Sequence, residues 1–426
     1  MRRLTLATLL ALLLIAPATA SAAGDPLRSR QWNLDLIHAD AAHATATGAG
    51  ATVAIVDSGV QADHPDLAGR LLPGYDFVDN DATPQDGNGH GTHVTGIVGA
   101  ATGNGVGIAS VAPGAELLPV RVLDDSGGGD SATVAKGIDY ARTHGADVIN
   151  LSLGSDVPLA GAMGGDDMDA AIHRALAGGI VVVAAAGNNS VPVCEQPAAA
   201  DGLLCVGAVD KRKQRSYFSS FGSGLGVVAP GGSGLPGTDE DVLSTVPTST
   251  YEEMAGTSQA TPHVSGVAAL LVGLGLHGQA AVKRILDTSE DLGSPGVDAE
   301  YGHGLVDAAA AVAGVGGGGG GAGGGSGGGG GGGAGRAVTP FVHVKARQRA
   351  ARGVRVRLRS AQPGRARVRV LRHGHRVGRR SRAVLAGAAR TIVVSVPRGG
   401  TPYRATVRVR LPGEHHDRVR HVRVVG

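Results

Sequence analysis

Val53-Ala54-Ile55-Val56-Asp57-Ser58-Gly59-Val60 is the stretch that decides the fold class of this chain. Four apolar residues run without the polar alternation of a half-exposed strand and stop at an aspartate. A continuous apolar run of this kind reads as a parallel strand buried on both faces, here over 52–56. Its carboxyl end then lies where open α/β sheets place their sites, with Asp57 at that edge. Similar strands are expected at 117–123, 147–153, 180–186 and 203–209, and helices at 131–143, 167–177, 262–274 and 279–287. The alternation predicts an α/β domain with a mostly parallel sheet and helices on both faces.

Two later segments carry groups that complement Asp57. Asn88-Gly89-His90-Gly91-Thr92-His93-Val94-Thr95-Gly96 sets His90 at the start of a short helix. Gly256-Thr257-Ser258-Gln259-Ala260-Thr261-Pro262-His263-Val264 sets Ser258 at or near a helix N-terminus, because Val264, Val267, Ala268 and Leu271 recur at helical spacing. Free N–H groups and positive potential at such a terminus suit an oxyanion that forms beside the serine. A nucleophilic serine needs a base to take its proton and a carboxylate to orient that base. No G-x-S-x-G elbow surrounds Ser258, so an esterase or lipase of the α/β-hydrolase kind lacks support. A non-catalytic surface-binding protein is the other rival reading.

These three segments, in the chain order Asp, His, Ser, resemble the subtilisin-type serine proteases, the subtilases. The resemblance covers residues 25 to 313. It implies a subtilisin-like three-layer fold and an endopeptidase acting on protein and peptide substrates. Asp57 is implied as the orienting carboxylate, His90 as general base and then acid, and Ser258 as nucleophile. Asn188, in Ala185-Ala186-Gly187-Asn188-Asn189, and the backbone N–H of Ser258 are implied as the oxyanion hole. Leu151, Ser152, Leu153 and Gly154 form one wall of the specificity pocket by the same resemblance, and Ala186 and Gly187 another. Gly127, Gly128 and Gly129 pair with the substrate backbone, which implies broad specificity. Glu195 falls at the base of that pocket, where a carboxylate would favour Lys or Arg before the scissile bond. The segment 102–108 resembles the calcium loop of the family. It implies a structural Ca2+ held by Asp25, Asp66 and Asn104 and by the carbonyls of Thr102, Val106 and Ile108. The Asp25 match requires a one-residue gap. His93 and His263 read as buried structural histidines. Two features depart from the family pattern. Gln259 stands where methionine usually follows the nucleophile, and there is no room for a folding pro-domain between the leader and Asp25.

Composition bounds the rest. Residues 1–23 join Arg2-Arg3 to an apolar stretch, Leu4 to Ala16, and a small-residue cleavage region, the pattern of a secretory signal. That stretch is shorter than the roughly 20 residues a bilayer span needs, and no later run is long enough either, so an exported chain with no membrane span is expected. The two cysteines, Cys194 and Cys205, suggest one disulfide in such a chain. The net charge of +3 hides a division. Residues 24–335 hold 13 basic and 34 acidic groups, and residues 336–426 hold 24 basic groups against Glu414 and Asp417. Between them, 314–335 is almost pure glycine and reads as a flexible linker. Beyond it the pattern has period two, as in Val354-Arg355-Val356-Arg357-Leu358-Arg359 and Ala366-Arg367-Val368-Arg369-Val370. Pro363-Gly364 and Gly399-Gly400 mark turns, so a small antiparallel, sandwich-like all-β domain with one arginine face is expected. Such a face suits an anionic surface or polymer, at the cell wall for example, or the acidic part of the chain itself. The few aromatics, Phe341 and Tyr403, argue against specific nucleic-acid recognition.

Overall fold

The computed structural model describes residues 24–154 and 166–315, together with the backbone of strands between 342 and 424. The expected leader (1–23) and the glycine-rich stretch from residue 316 lie outside the described residues. The chain divides into two compact units, Met1–Gly321 and Ala322–Gly426.

The first unit is built on seven parallel strands. They are β1 (Thr52–Asp57), β2 (Tyr75–Asp76), β3 (Glu116–Arg121), β4 (Val148–Leu151), β5 (Val181–Ala185), β6 (Leu204–Val209) and β7 (Leu225–Pro230). Their order is β2-β3-β1-β4-β5-β6-β7. Every residue of β1, β4, β5 and β6 is buried, which is why these strands read as largely apolar runs, with Asn150 of β4 the polar interruption. The chain first winds from β1 toward β3 and β2, then returns to lay β4 on the other flank of β1. The carboxyl ends of β1 and β4 therefore border the topological switch point, where such sheets open a crevice.

The helices are α1 (Trp32–Leu36), α2 (Ala39–His43), α3 (His90–Gly99), α4 (Ser131–Thr143), α5 (Asp166–Ala177), α6 (Thr257–Gly273), α7 (Gly278–Thr288) and α8 (Ala308–Val312). Helices α3 and α6 pack on each other and on the sheet, and α4 and α5 form a second pair against it. A hairpin, β8 (Val242–Val246) and β9 (Thr250–Met254), packs against α3 through β8. Helix α6 is apolar almost all round because it is buried almost all round. Among the described residues no single helix is long and apolar enough to cross a membrane.

Two of the shifted boundaries have a local cause. Strand β3 stops at Arg121 rather than 123, because the N–H groups of Val122 and Leu123 both turn to the carbonyl of Asp57 at 2.8 and 3.2 Å. Helix α6 begins at Thr257, five residues ahead of the apolar pattern, so Pro262 and His263 lie inside it rather than at its start. A proline inside a helix leaves the carbonyl four residues earlier without its N–H partner. That carbonyl belongs to Ser258, and it accepts from the Ser152 hydroxyl at 2.8 Å instead. Asn150 Nδ2 donates to Ser152 Oγ at 2.9 Å, and Asn150 Oδ1 accepts from Ser265 Oγ at 2.8 Å, so a buried polar chain ties β4 to α6.

Cys194 and Cys205 form a disulfide across 11 residues, with their Cα atoms 6.6 Å apart. By loop-closure entropy it stabilises by about 3 kcal/mol. The second unit carries antiparallel strands: β10 (Val342–Gln348), β11 (Gly353–Ser360), β12 (Gly364–Arg372), β13 (His375–Val384), β14 (Ala389–Ser395), β15 (Tyr403–Arg410) and β16 (Arg418–Val424). They pair as β10-β11-β14 and β13-β12-β15-β16.

Candidate active site

Asp57 closes β1 and is fully buried. Its Oδ1 accepts from His90 Nδ1 at 2.8 Å and from the backbone N–H of Ser58 at 2.8 Å. This bond fixes the His90 tautomer with the proton on Nδ1, so Nε2 keeps its lone pair. His90 opens α3, and its side chain is 26 % exposed. Burial opposes its protonation, but the charge and hydrogen bond of Asp57, with a smaller contribution from Asp86, outweigh that and hold the imidazole above its ordinary value.

A cleft of about 830 Å³ is lined by His90, Ser258 and Asn188 together with residues from each expected wall. Ser258 sits half-buried in the first turn of α6, behind the cap at Gly256. Asn188 Oδ1 accepts from Thr257 N and Thr257 Oγ1, both at 2.9 Å, which leaves its Nδ2 as a donor. A β-carbon on Gly256 would stand 2.8 Å from Gln259 Oε1, 3.5 Å from Asn188 Nδ2 and 3.6 Å from Ser258 N. Both expected oxyanion donors thus lie near one point at the start of α6.

Of the expected wall residues, Ser152, Leu153, Gly154 and Gly187 line the cleft, as do Gly127, Gly128 and Gly129. Three do not. Leu151 and Ala186 are fully buried in the sheet layer, because side chains alternate at a strand end and their neighbours Ser152 and Gly187 take the cleft side. Glu195 is not among the lining residues. Its carboxylate abuts Gly187 from behind and accepts from Ser220 Oγ at 2.6 Å and Asn189 Nδ2 at 2.7 Å. A β-carbon on Gly187 would lie 2.1 Å from Glu195 Oε1, so this close approach, at φ +106°, requires glycine. The glycine segment forms a turn rather than a strand. Asp124 holds it through Gly127 N, Gly128 N and Gly128 O.

His93 and His263 are fully buried. His93 Nε2 donates to the carbonyls of Val242 and Glu252. Burial and then the His90 charge push His93 down to about 3, and burial pushes His263 down to about 4. Both stay neutral at ordinary pH and hold backbone, so neither is a second base.

Asp86 went unnoticed in the sequence. It is 4 % exposed and accepts from Ser58 Oγ, Asn88 N, Gly89 N, Thr92 N and Thr92 Oγ1 at 2.6–3.0 Å. It fastens the first turn of α3, and through Ser58 it reaches the segment that holds Asp57. Because Asp86 helps raise His90, the Asp86→Asn variant should lose activity on acidification at a lower pH than the parent. Superimposable pH profiles of kcat/KM would contradict this. Leu123, Val134, Met168, Gln196 and Pro197 also line the cleft without having been foreseen.

Of the expected calcium ligands, Asp25 and Asp66 both reach the loop 102–108. Asp25, 8 % exposed, accepts from Gly103 N and Asn104 N. Asp66, fully buried, accepts from Asn104 Nδ2, Ile108 N and Tyr251 Oη at 2.9–3.0 Å. Burial, and then the charges of Asp66 and Asp25, push the Tyr251 hydroxyl up. Two buried carboxylates met by neutral donors fit a hard cation, whose charge would offset theirs. Asn104 is the exception, since its Oδ1 is taken by Val106 N at 2.8 Å. Among the described residues no three His, Cys, Asp or Glu side chains converge as a metal cluster, so carbonyls such as those of Thr102, Val106 and Ile108 would complete the set.

A parallel α/β crevice whose cleft is lined by the histidine of an Asp–His pair and by a serine at a helix N-terminus defines a class of serine hydrolase. Residues 48–304 match the Subtilase family, Peptidase_S8. Thermitase of Thermoactinomyces vulgaris is 45 % identical over 284 residues, covering 67 % of this chain and 96 % of thermitase. Subtilisin Savinase of Lederbergia lenta is 41 % identical over 287 residues, covering 67 % and 99 %. Among solved structures, a protease of Pseudoalteromonas arctica PAMC 21717 superposes with a TM-score of 0.62 at 34 % identity, covering 69 % of this chain and 99 % of that one. The chain belongs to the subtilase family and is a serine-type endopeptidase with the subtilisin-like α/β fold.

Proposed function

We propose that this chain is an exported endopeptidase of broad specificity in which Asp57, His90 and Ser258 form the catalytic triad. The observation that carries the reading is the 2.8 Å bond from His90 Nδ1 to Asp57, on one flank of the cleft that Ser258 and Asn188 also line. Ser258 Oγ attacks the scissile carbonyl carbon while His90 Nε2 takes its proton. Asp57 steadies the imidazolium, and the oxyanion is received by Ser258 N and Asn188 Nδ2. His90 then protonates the leaving amine, an acyl-enzyme forms, and water hydrolyses it by the same route in reverse. The open, glycine-edged cleft suits an extended peptide better than a compact ester. The test is proteolysis of an unfolded protein by purified chain, read as new amino termini. Hydrolysis of small esters with no cleavage of protein would overturn the reading.

The leader-like residues 1–23 support export, and with it a disulfide-permitting compartment. Ca2+ held by Asp25, Asp66 and neighbouring carbonyls would stabilise the loop 102–108 against the N-terminal segment. Calcium is expected to raise the melting temperature by binding the native state, and Asp66→Asn to abolish that rise. Equal melting temperatures in calcium and in chelator would remove the site from the account.

The glycine-rich stretch 314–335 serves as a linker in this reading, and 336–426 as a basic, sandwich-like β domain. Its charge of +22 supports attachment to an anionic surface or polymer while the protease domain stays free to reach substrates.

A further inference from the structure

We infer that one face of the β13-β12-β15-β16 sheet docks a flexible, linear phosphodiester polymer through six arginines gathered by strand register. The inference rests on the reading of residues 336–426 as an anion-binding appendage. Strands β12 and β15 are the two inner strands. Their antiparallel register sets Arg365 opposite Arg410, Arg367 opposite Arg408 and Leu371 opposite Arg404. Opposed residues share a face, and so do residues two apart. Arg365, Arg367, Arg369, Arg404, Arg408 and Arg410 therefore lie on one face. Ala366, Val368, Val370, Val407 and Val409 lie on the other, an apolar strip of the inner strands that Arg380, Arg382, Arg418 and Arg420 flank on the outer ones.

Folding alone does not favour this layout. Like charges directly opposite one another destabilise an antiparallel pair, and four such pairs stand on this face, Arg365/Arg410, Arg367/Arg408, Arg369/Arg379 and Arg404/Arg423. The segment's two acids, Glu414 and Asp417, fall in none of the paired registers. A bound polyanion would relieve the repulsion, so binding would stabilise the sheet.

The residue type narrows the partner. Of the 24 basic residues after 335, Lys345 is the one lysine. Arginine offers a planar fork to oxyanions and keeps its charge at every working pH. The register spaces the arginines about 6.8 Å apart along a strand and about 5 Å across strands, a two-dimensional grid. A phosphodiester carries its charge in the polymer backbone at regular intervals, whereas a carboxylate pendant on a side chain must also have that side chain ordered on binding. A flexible chain can follow such a grid. Duplex DNA, stiff over about 500 Å, would meet it along one strip. Tyr403 is the one aromatic residue in the paired strands of this sheet, too few for base stacking.

The test uses the full chain carrying Ser258→Ala, to prevent self-cleavage. Binding to immobilised poly(glycerol phosphate) is measured against salt, with polyglutamate and duplex DNA as comparators. One variant replaces Arg365, Arg367, Arg408 and Arg410 by Gln. A charge-matched variant replaces Arg380, Arg382, Arg418 and Arg420, which register places on the opposite face. The first should lose at least about tenfold in affinity, with a log–log salt slope lower by about 3, at roughly 0.7 per lost contact. The second should stay within about twofold, as its arginines make no such contact. Equal losses would overturn the face assignment and leave only diffuse charge. Tighter binding of the parent to duplex or polyglutamate would overturn the phosphodiester class. Failure of the parent to bind any of the three would overturn the appendage reading as well. If the first variant loses its strand signal, Arg→Lys at the same four positions keeps charge but removes the fork, and unchanged binding there would contradict the proposal.

Discussion

Replacing Ser258 by alanine should lower kcat on a peptide substrate by about 10⁶-fold. Asp57 and His90 act only through the serine, so their arrangement is idle without it. His90→Ala should cost a similar factor, and the double variant should be no worse than either, because the triad works as one unit. What remains, about 10³- to 10⁴-fold over water, belongs to binding and to the oxyanion donors. Ser258 lies half-buried at the cleft surface, so stability should change by less than about 0.5 kcal/mol. Additive losses in the double variant would mean that the two residues do not share one step.

Asn188 carries the second large effect. Asn188→Ala should lower kcat by about 10²- to 10³-fold, some 3–4 kcal/mol of transition-state stabilisation, with KM nearly unchanged. Alanine also removes the acceptor for Thr257 N and Thr257 Oγ1, which would loosen the start of α6. Asn188→Asp separates the two roles. It keeps an acceptor for Thr257 but replaces the Nδ2 donor by negative charge, so its kcat should fall at least as far while its melting temperature falls less. An Asn188→Asp protein with parental kcat would show that the amide does not face the developing charge.

The parts of the site legible in the sequence were those whose local environment leaves a one-dimensional trace. Strand β1 is buried on both faces and so reads as Val53-Ala54-Ile55-Val56, with Asp57 at its end. Ser258 announces itself through the apolar helix behind it. Asp86 left no such trace, because Asp86-Gly87-Asn88-Gly89 is indistinguishable from an ordinary turn until five donors converge on one carboxylate. The parity of wall residues was equally hidden. Leu151 and Ser152 are adjacent in sequence, and only the strand's orientation decides which meets the cleft. Leu123, Val134 and Met168 carry the apolar signature of core residues, and a cleft lined by helices α4 and α5 uses the same signature. The early start of α6 was masked by Pro262, whose missing hydrogen bond is replaced from β4 by Ser152, a contact more than a hundred residues away in sequence.

Reaction with a fluorophosphonate, followed by peptide mapping, addresses the Asp57–His90–Ser258 assignment most directly. Ser258 Oγ displaces fluoride at phosphorus, and the serine proton leaves through His90. The expected result is one phosphonyl group per chain, on Ser258. Its rate should decline on acidification through a midpoint above the ordinary imidazole value of about 6.5, because Asp57 and Asp86 hold His90 protonated to higher pH. His90→Ala should abolish the labelling. Stoichiometric labelling at any other residue, or undiminished labelling of the Ser258→Ala protein, would contradict the triad.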